Sequence, residues 1–197
     1  MAYCLVYQPN DIERMDDKRQ HIVECALAQL REEGFAAFTQ PKVAARAGLR
    51  QSHLTYYYPT RDDLLMAVAE AAMERQIKAL DDLLAGSRSA RAPTKIASVL
   101  GRKENTRVLL ALVQGADQEP RLRTLFVNFA AQMRERAAAL LTGNQNRNAS
   151  VVDAYLLHAL CVGLAVLGLA QDGTDGGDAR QVAVIKKTIQ MLGRTAG

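Results

Sequence analysis

The chain has no tryptophan, and aromatic residues make up only 5% of its 197 positions. Apolar residues still reach 49%, with Ala, Leu and Val prominent. A core of small aliphatics without large rings argues for packed helices and against a β-sandwich. Cysteine is scarce as well. Cys4, Cys25 and Cys161 are widely spaced and form no C-x-x-C pair, which argues against a disulfide frame or a zinc site and for a reducing cytoplasm. The longest apolar run, Ala159 to Ala170, is shorter than a membrane span, and residues 1–10 lack the charged and apolar regions of a signal peptide. No membrane partner is therefore expected. The motifs of common catalysts are missing too: no G-x-S-x-G, no H-E-x-x-H, no phosphate loop and no paired-carboxylate pattern beyond exposed helix charges. The expectation is a protein that is not an enzyme, with no catalytic residue, metal or cofactor.

A net charge of +4 is mild; clustering matters more than the sum. One stretch has that clustering. Thr39 to Arg61, TQPKVAARAGLRQSHLTYYYPTR, carries Lys42, Arg46, Arg50 and Arg61 and no Asp or Glu. Val43, Ala44 and Ala47 mark one face of a short helix with Pro41 in its first turn, where a missing N–H costs nothing. Leu49, Leu54 and Tyr58 mark a second helix beyond Gly48. Two short helices on a glycine turn, with polar groups left over on the second, describe a helix-turn-helix. Arg50, Gln51, Ser52 and His53 form the first turn of that second helix, followed by Thr55, Tyr56 and Tyr57. A recognition helix enters the major groove N-terminus first. Gln51 can there bond adenine through two atoms, and Arg50 guanine. Against this, Arg50 and Arg61 could be plain solvated charges. Tyr58 is expected in the small core, while Tyr56 reads either way.

The run Thr39-x-x-x-Val43-Ala44-x-x-Ala47-Gly48-Leu49, then Leu54-x-Tyr56-Tyr57-Tyr58-Pro59-Thr60-Arg61-x-x-Leu64, resembles the DNA-binding signature of the tetracycline-repressor (TetR) family. The likeness covers about residues 17–66 with unbroken spacing. It implies that Gln51, Ser52, His53 and Thr55 stand where family members contact bases, and Thr39, Gln40, Tyr57 and Arg61 where they commonly hold phosphates. One departure is Arg50, which stands where the family often has a serine cap. Loss of that cap costs about 1 kcal/mol.

Residues 1–14 fit no helical pattern and are read as a disordered extension, ahead of a true start at Met15; a short ordered arm is the alternative. A first helix is expected from Asp17 to Glu33, with Ile22, Ala26 and Leu30 on its inner stripe and Gly34 as its stop. Phe35 and Phe38 should fold back on that stripe. Thr60 and Asp63 have the form of a capping box opening a fourth helix that runs to about Leu84. Segment 86–93 reads as a linker. Helices follow near 94–100, 107–114, 120–141, 151–171 and 179–192, with loops at 143–148 and 172–177. No strand pattern or internal repeat interrupts them. The fold class is all-α: a helix-turn-helix domain over residues 15–61, then a helical effector-binding and dimerisation domain over 62–197.

The segment Leu156 to Ala170 is apolar almost all round, with Gly163 and Gly168 allowing close approach. Such a helix must be covered on every side, either as the central helix of a monomer or against a second copy. The resemblance implies a homodimer through the two C-terminal helices. It also implies a pocket in the C-terminal domain, with Leu109, Val113, Phe126, Phe129, Met133, Tyr155 and His158 as candidate walls by region only. Periodicity alone reads Phe126, Phe129 and Met133 equally well as core. His158 has no second His or acid nearby, so it reads as a core or interface residue, and His21 as a surface residue. The resulting expectation is a cytoplasmic, nucleoid-associated homodimeric repressor of a palindromic double-stranded DNA operator, released by a small-molecule effector. The alternatives are a DNA-binding regulator answering to a protein partner or to nothing, and a helical interaction module or enzyme whose basic stretch is only a solvated face.

Overall fold

The computed structural model describes residues 9–86, 92–100, 103–142, 150–170 and 177–195. Among them nine helices form and no strand: α1 Pro9–Glu33, α2 Gln40–Arg46, α3 Gln51–Tyr57, α4 Arg61–Gly86, α5 Ala92–Leu100, α6 Lys103–Gln118, α7 Pro120–Thr142, α8 Val151–Ala170 and α9 Gly177–Thr195. The all-α fold with an N-terminal helix-turn-helix is as the sequence leads one to expect. The inter-helix stretches 87–91, 143–149 and 171–176, together with residues 1–8, lie outside the described residues. Two compact units divide the chain, Met1–Ala71 and Ala72–Gly197, with the division inside α4.

The first helix corrects the sequence reading. It starts at Pro9, eight residues before Asp17, so residues 9–14 are helical. Pro9 at the first helical position lacks only an N–H that no helix bond would use.

Ile22, Ala26, Leu27 and Leu30 are wholly buried on the inner face of α1, together with Phe38, Val43, Leu54, Leu64 and Val68 from the elements that follow. Each large side chain so removed from water contributes about 1.5–3 kcal/mol. Gly34 ends α1 at φ +76, a conformation that costs glycine little. Its N–H donates to the Leu30 carbonyl at 3.1 Å. The capping box of α4 is complete. The Asp63 N–H donates to Thr60 Oγ1 at 3.0 Å, and the Thr60 N–H to Asp63 Oδ2 at 3.2 Å.

In the second unit α8 packs against α5, α6, α7 and α9, burying Ala154, Leu157 and Ala165. Gly168 permits a close approach to α9: a Cβ there would stand 2.9 Å from Gln181 Nε2. A Cβ at Gly163 would meet nothing within 4 Å, so that glycine serves no packing inside the chain. The stretch judged too short for a membrane is only part of α8, whose 20 residues are long and apolar enough by length and composition. Four helices pack against one side of it, and the rest of its apolar surface is left uncovered within the chain.

Candidate nucleic-acid interface and cavity

The turn between α2 and α3 is a Schellman motif. Gly48 adopts φ +68, its N–H donates to the Ala45 carbonyl at 3.2 Å, and the Leu49 N–H reaches the Ala44 carbonyl at 2.9 Å. Only a residue at ease with left-handed backbone closes a helix this way. Leu54 and Tyr58 then anchor α3 through its inner face, and the Tyr58 hydroxyl donates to the Arg19 carbonyl at 3.5 Å. Burial pushes the Tyr58 phenol above its ordinary pKa.

With that face fixed, Arg50, Gln51, Ser52, His53 and Tyr56 are exposed together on the outside. Thr55 is half-buried, its hydroxyl donating to the Ser52 carbonyl at 3.1 Å. Tyr56 is 67% exposed and packs edge-on to Tyr57, ring centres 5.2 Å apart. Arg50 is the N-cap of α3 and makes no side-chain capping bond, so the serine cap is lost without replacement. Thr39, the N-cap of α2, likewise makes no capping bond.

Two residues of the phosphate set are held inward. Gln40 Nε2 donates to the Tyr58 carbonyl at 2.7 Å, tying the start of α2 to the end of α3. Arg61 Nε donates to the Phe38 carbonyl at 2.9 Å, and its guanidinium lies 4.5 Å over the Phe35 ring. The four cations of the stretch are also not equivalent. Lys42 pairs with Glu33 at 2.8 Å, and Arg46 grips Glu32 through two nitrogens at 2.5 and 2.7 Å. The Arg46 bonds hold the Glu32 carboxyl below its ordinary pKa. Glu32 and Glu33 end α1 while Arg46 and Lys42 lie on α2, so no spacing within one helix announces either pair. His21 does more than face solvent, since its Nε2 lies 3.3 Å from the Ala47 carbonyl.

The second unit contains a cavity of about 670 Å³, within the ~300–1,000 Å³ range of small-molecule sites. Leu109, Val113, Phe126, Phe129, Met133, Tyr155 and His158 all line it. Sequence reasoning missed its charged wall, Arg134 and Arg136. Arg136 is bound through Nε and Nη2 to the two Asp81 oxygens, both at 2.8 Å. Arg134 holds its guanidinium 5.8 Å over the Tyr155 ring. Burial, then the positive Arg134, push His158 below its ordinary pKa. Burial pushes the Cys161 thiol up to about 11, so this wall residue stays protonated. Among the described residues no group of His, Cys, Asp and Glu could hold a metal.

Residues 22–68 match the family "Bacterial regulatory proteins, tetR family". No curated protein matches the chain. Among solved structures, a transcriptional regulator from Rhodococcus sp. Rha1 is 19% identical, with 90% of this chain and 97% of that one covered at a TM-score of 0.77. A TetR-family member from Streptomyces coelicolor A3 is 24% identical over 87% of this chain and 98% of its own, TM-score 0.63. The multidrug binding protein EbrR complexed with malachite green is 23% identical over 86% and 96%, TM-score 0.63. The N-terminal head, residues 22–68, thus has the sequence of the tetR family of bacterial regulatory proteins, and the chain as a whole shares the fold of these solved regulators.

Proposed function

We propose that the protein is a homodimeric repressor that sets its two α3 helices into successive major grooves of a palindromic operator and leaves it when a small molecule fills the second-unit cavity. Gln51, Ser52, His53 and Thr55, with Arg50 and Tyr56, are assigned to base edges. Thr39, Gln40, Tyr57 and Arg61 are assigned to the backbone, Gln40 and Arg61 through whatever donors their internal bonds leave over.

One observation carries the dimer. Val152, Leu156, Ala159, Gly163, Val166 and Ala170, spaced alternately by four and three residues, are all exposed on α8. That is the seam of a helix pair, and the bare Gly163 at its centre lets a second backbone come close. Only 17% of the most apolar 18-residue window of α8 is buried. Leu167 at 60% and Met191 at 58% exposure widen the patch. A second copy covers such a face by two-fold symmetry.

Release follows from α4. It gives Leu64, Leu65 and Val68 to the core of the head, and Gln76, Ala79 and Leu80 to the cavity wall. A ligand that prefers one position of the wall shifts the helix population. Half-sites lie about 34–36 Å apart or a multiple of it, so a small change in spacing breaks simultaneous docking. EbrR, which shares the fold, is described as a multidrug binding protein in complex with imidazole and with malachite green. An open cavity favours this reading over a regulator that answers to no ligand.

The test is light scattering beside fluorescence anisotropy, with DNA from upstream of the protein's own gene. The native protein should show twice the 21.5 kDa chain mass and bind that DNA above a random control. Leu156→Arg should halve the mass and remove operator affinity. A monomeric native protein that still binds specifically would overturn the two-copy reading.

A further inference from the structure

We infer that the cavity is built for an amphipathic anion, an apolar body ending in one carboxylate or similar group that pairs with Arg134. This rests on the reading of the cavity as an effector site.

The wall is overwhelmingly aliphatic and aromatic, and among the described residues it contains no Asp or Glu. Its two cations differ. Arg136 spends Nε and Nη2 on Asp81 and Nη1 on the Gln132 carbonyl at 3.2 Å, so its charge is matched before any ligand arrives. Arg134 has no carboxylate partner among the described residues; its neighbours are the Tyr155 ring face and His158, close enough for the two to interact electrostatically. Tyr155 and His158 stand one turn apart on α8 and flank Arg134; the other polar residues of the wall, besides Arg136, are the uncharged Gln76, Asn105 and Thr106. His158, neutral there near pH 7, can bond a ligand oxygen but adds no charge of its own.

The chemistry follows from what burial costs. A cationic ligand would enter a cavity with no carboxylate to meet it and a guanidinium to repel it. A neutral alcohol gains the apolar burial and a neutral hydrogen bond, without a charge-assisted pair. A carboxylate gains the same burial and also meets the planar fork of Arg134, whose paired N–H groups fit two carboxylate oxygens. Anion, then neutral, then cation is the order of affinity.

Calorimetry on the full-length protein with decanoate, decanol and decylammonium compares three head groups on one apolar body. Decanoate should bind about tenfold tighter than decanol, the difference one charge-assisted pair makes, and decylammonium weakest. Arg134→Gln should erase the gap between decanoate and decanol while leaving decanol unchanged. Arg134→Lys, which keeps the charge, should retain most of the gap. Ala130 also lines the cavity, and Ala130→Phe, filling it, should weaken all three. Decanol or decylammonium binding as well as decanoate would overturn the charge assignment and leave the cavity reading standing. No binding by any of the three, or binding untouched by Ala130→Phe, would overturn the cavity reading and the proposal with it.

Discussion

The guanidinium of Arg61 rests 4.5 Å above the ring of Phe35, and that contact joins the entry of α4 to the turn that follows α1. Its Nε also closes the Phe38 carbonyl, a group without a helical partner. Arg61→Ala should therefore lower the stability of the head by about 1–2 kcal/mol, from the cation–π contact and the hydrogen bond together. Urea unfolding checks this. Binding to all DNA sequences should weaken as well, with the salt slope flatter by about 1. Unchanged stability would mean that the stacking is incidental.

Gly48 turns the chain between the two helices at φ +68, and a Cβ there meets nothing within 4 Å. The cost of a side chain is thus purely conformational. Gly48→Ala should destabilise by about 1–2 kcal/mol, and Gly48→Asn by less, since Asn tolerates left-handed backbone. Equal losses for both would point to a steric cause instead.

Arg50 sits with extended backbone at the head of α3, its side chain making no cap. Arg50→Ser should raise stability by about 0.5–1 kcal/mol by supplying the missing acceptor. The same change should weaken operator binding, because it removes an exposed cation from the surface proposed to face DNA. A gain in stability with no loss of affinity would exclude Arg50 from the interface.

These features were not equally legible in the sequence. The glycine turn, the inner faces of α2 and α3 and the Thr60–Asp63 box are local, fixed by residues within a few positions of each other. The pairs Arg46–Glu32 and Lys42–Glu33 join different helices, and only folding brings them together. The start of α1 at Pro9 escaped a reading based on apolar periodicity, because segment 9–14 has little of it. In α7 the stripe of Phe126, Phe129 and Met133 was plain, but a stripe looks the same whether it meets other side chains or an open space. Arg134 escaped for the opposite reason: a lone arginine beside an apolar stripe reads as solvated until Tyr155 is found under it. Gln29, only 1% exposed and donating to the Ala37 carbonyl at 2.8 Å, has no signature in the pattern at all.

His158 sets a pH dependence. The groups facing it include Arg134, which is positive, while the charge of Arg136 is matched by Asp81. Its folded pKa lies below 6.5, so as pH falls the unfolded chain takes up the proton first. The stability tied to neutral His158 is therefore full above 6.5 and is lost as pH falls towards the folded value. Thermal unfolding between about pH 7 and pH 5 should show a steeper loss in the native protein than in His158→Gln. Parallel profiles would contradict the burial of this ring.

The most direct measurement is base-resolved footprinting of the protein on DNA from upstream of its gene, with Gln51→Ala beside it. Two protected, symmetry-related half-sites about 34–36 Å apart or a multiple of it are expected. Gln51→Ala should relax the sequence requirement at one position in each half, at a cost of about 1–3 kcal/mol. A single unpaired footprint, or a Gln51→Ala protein with unaltered base preference, would contradict a dimer that reads its operator through α3.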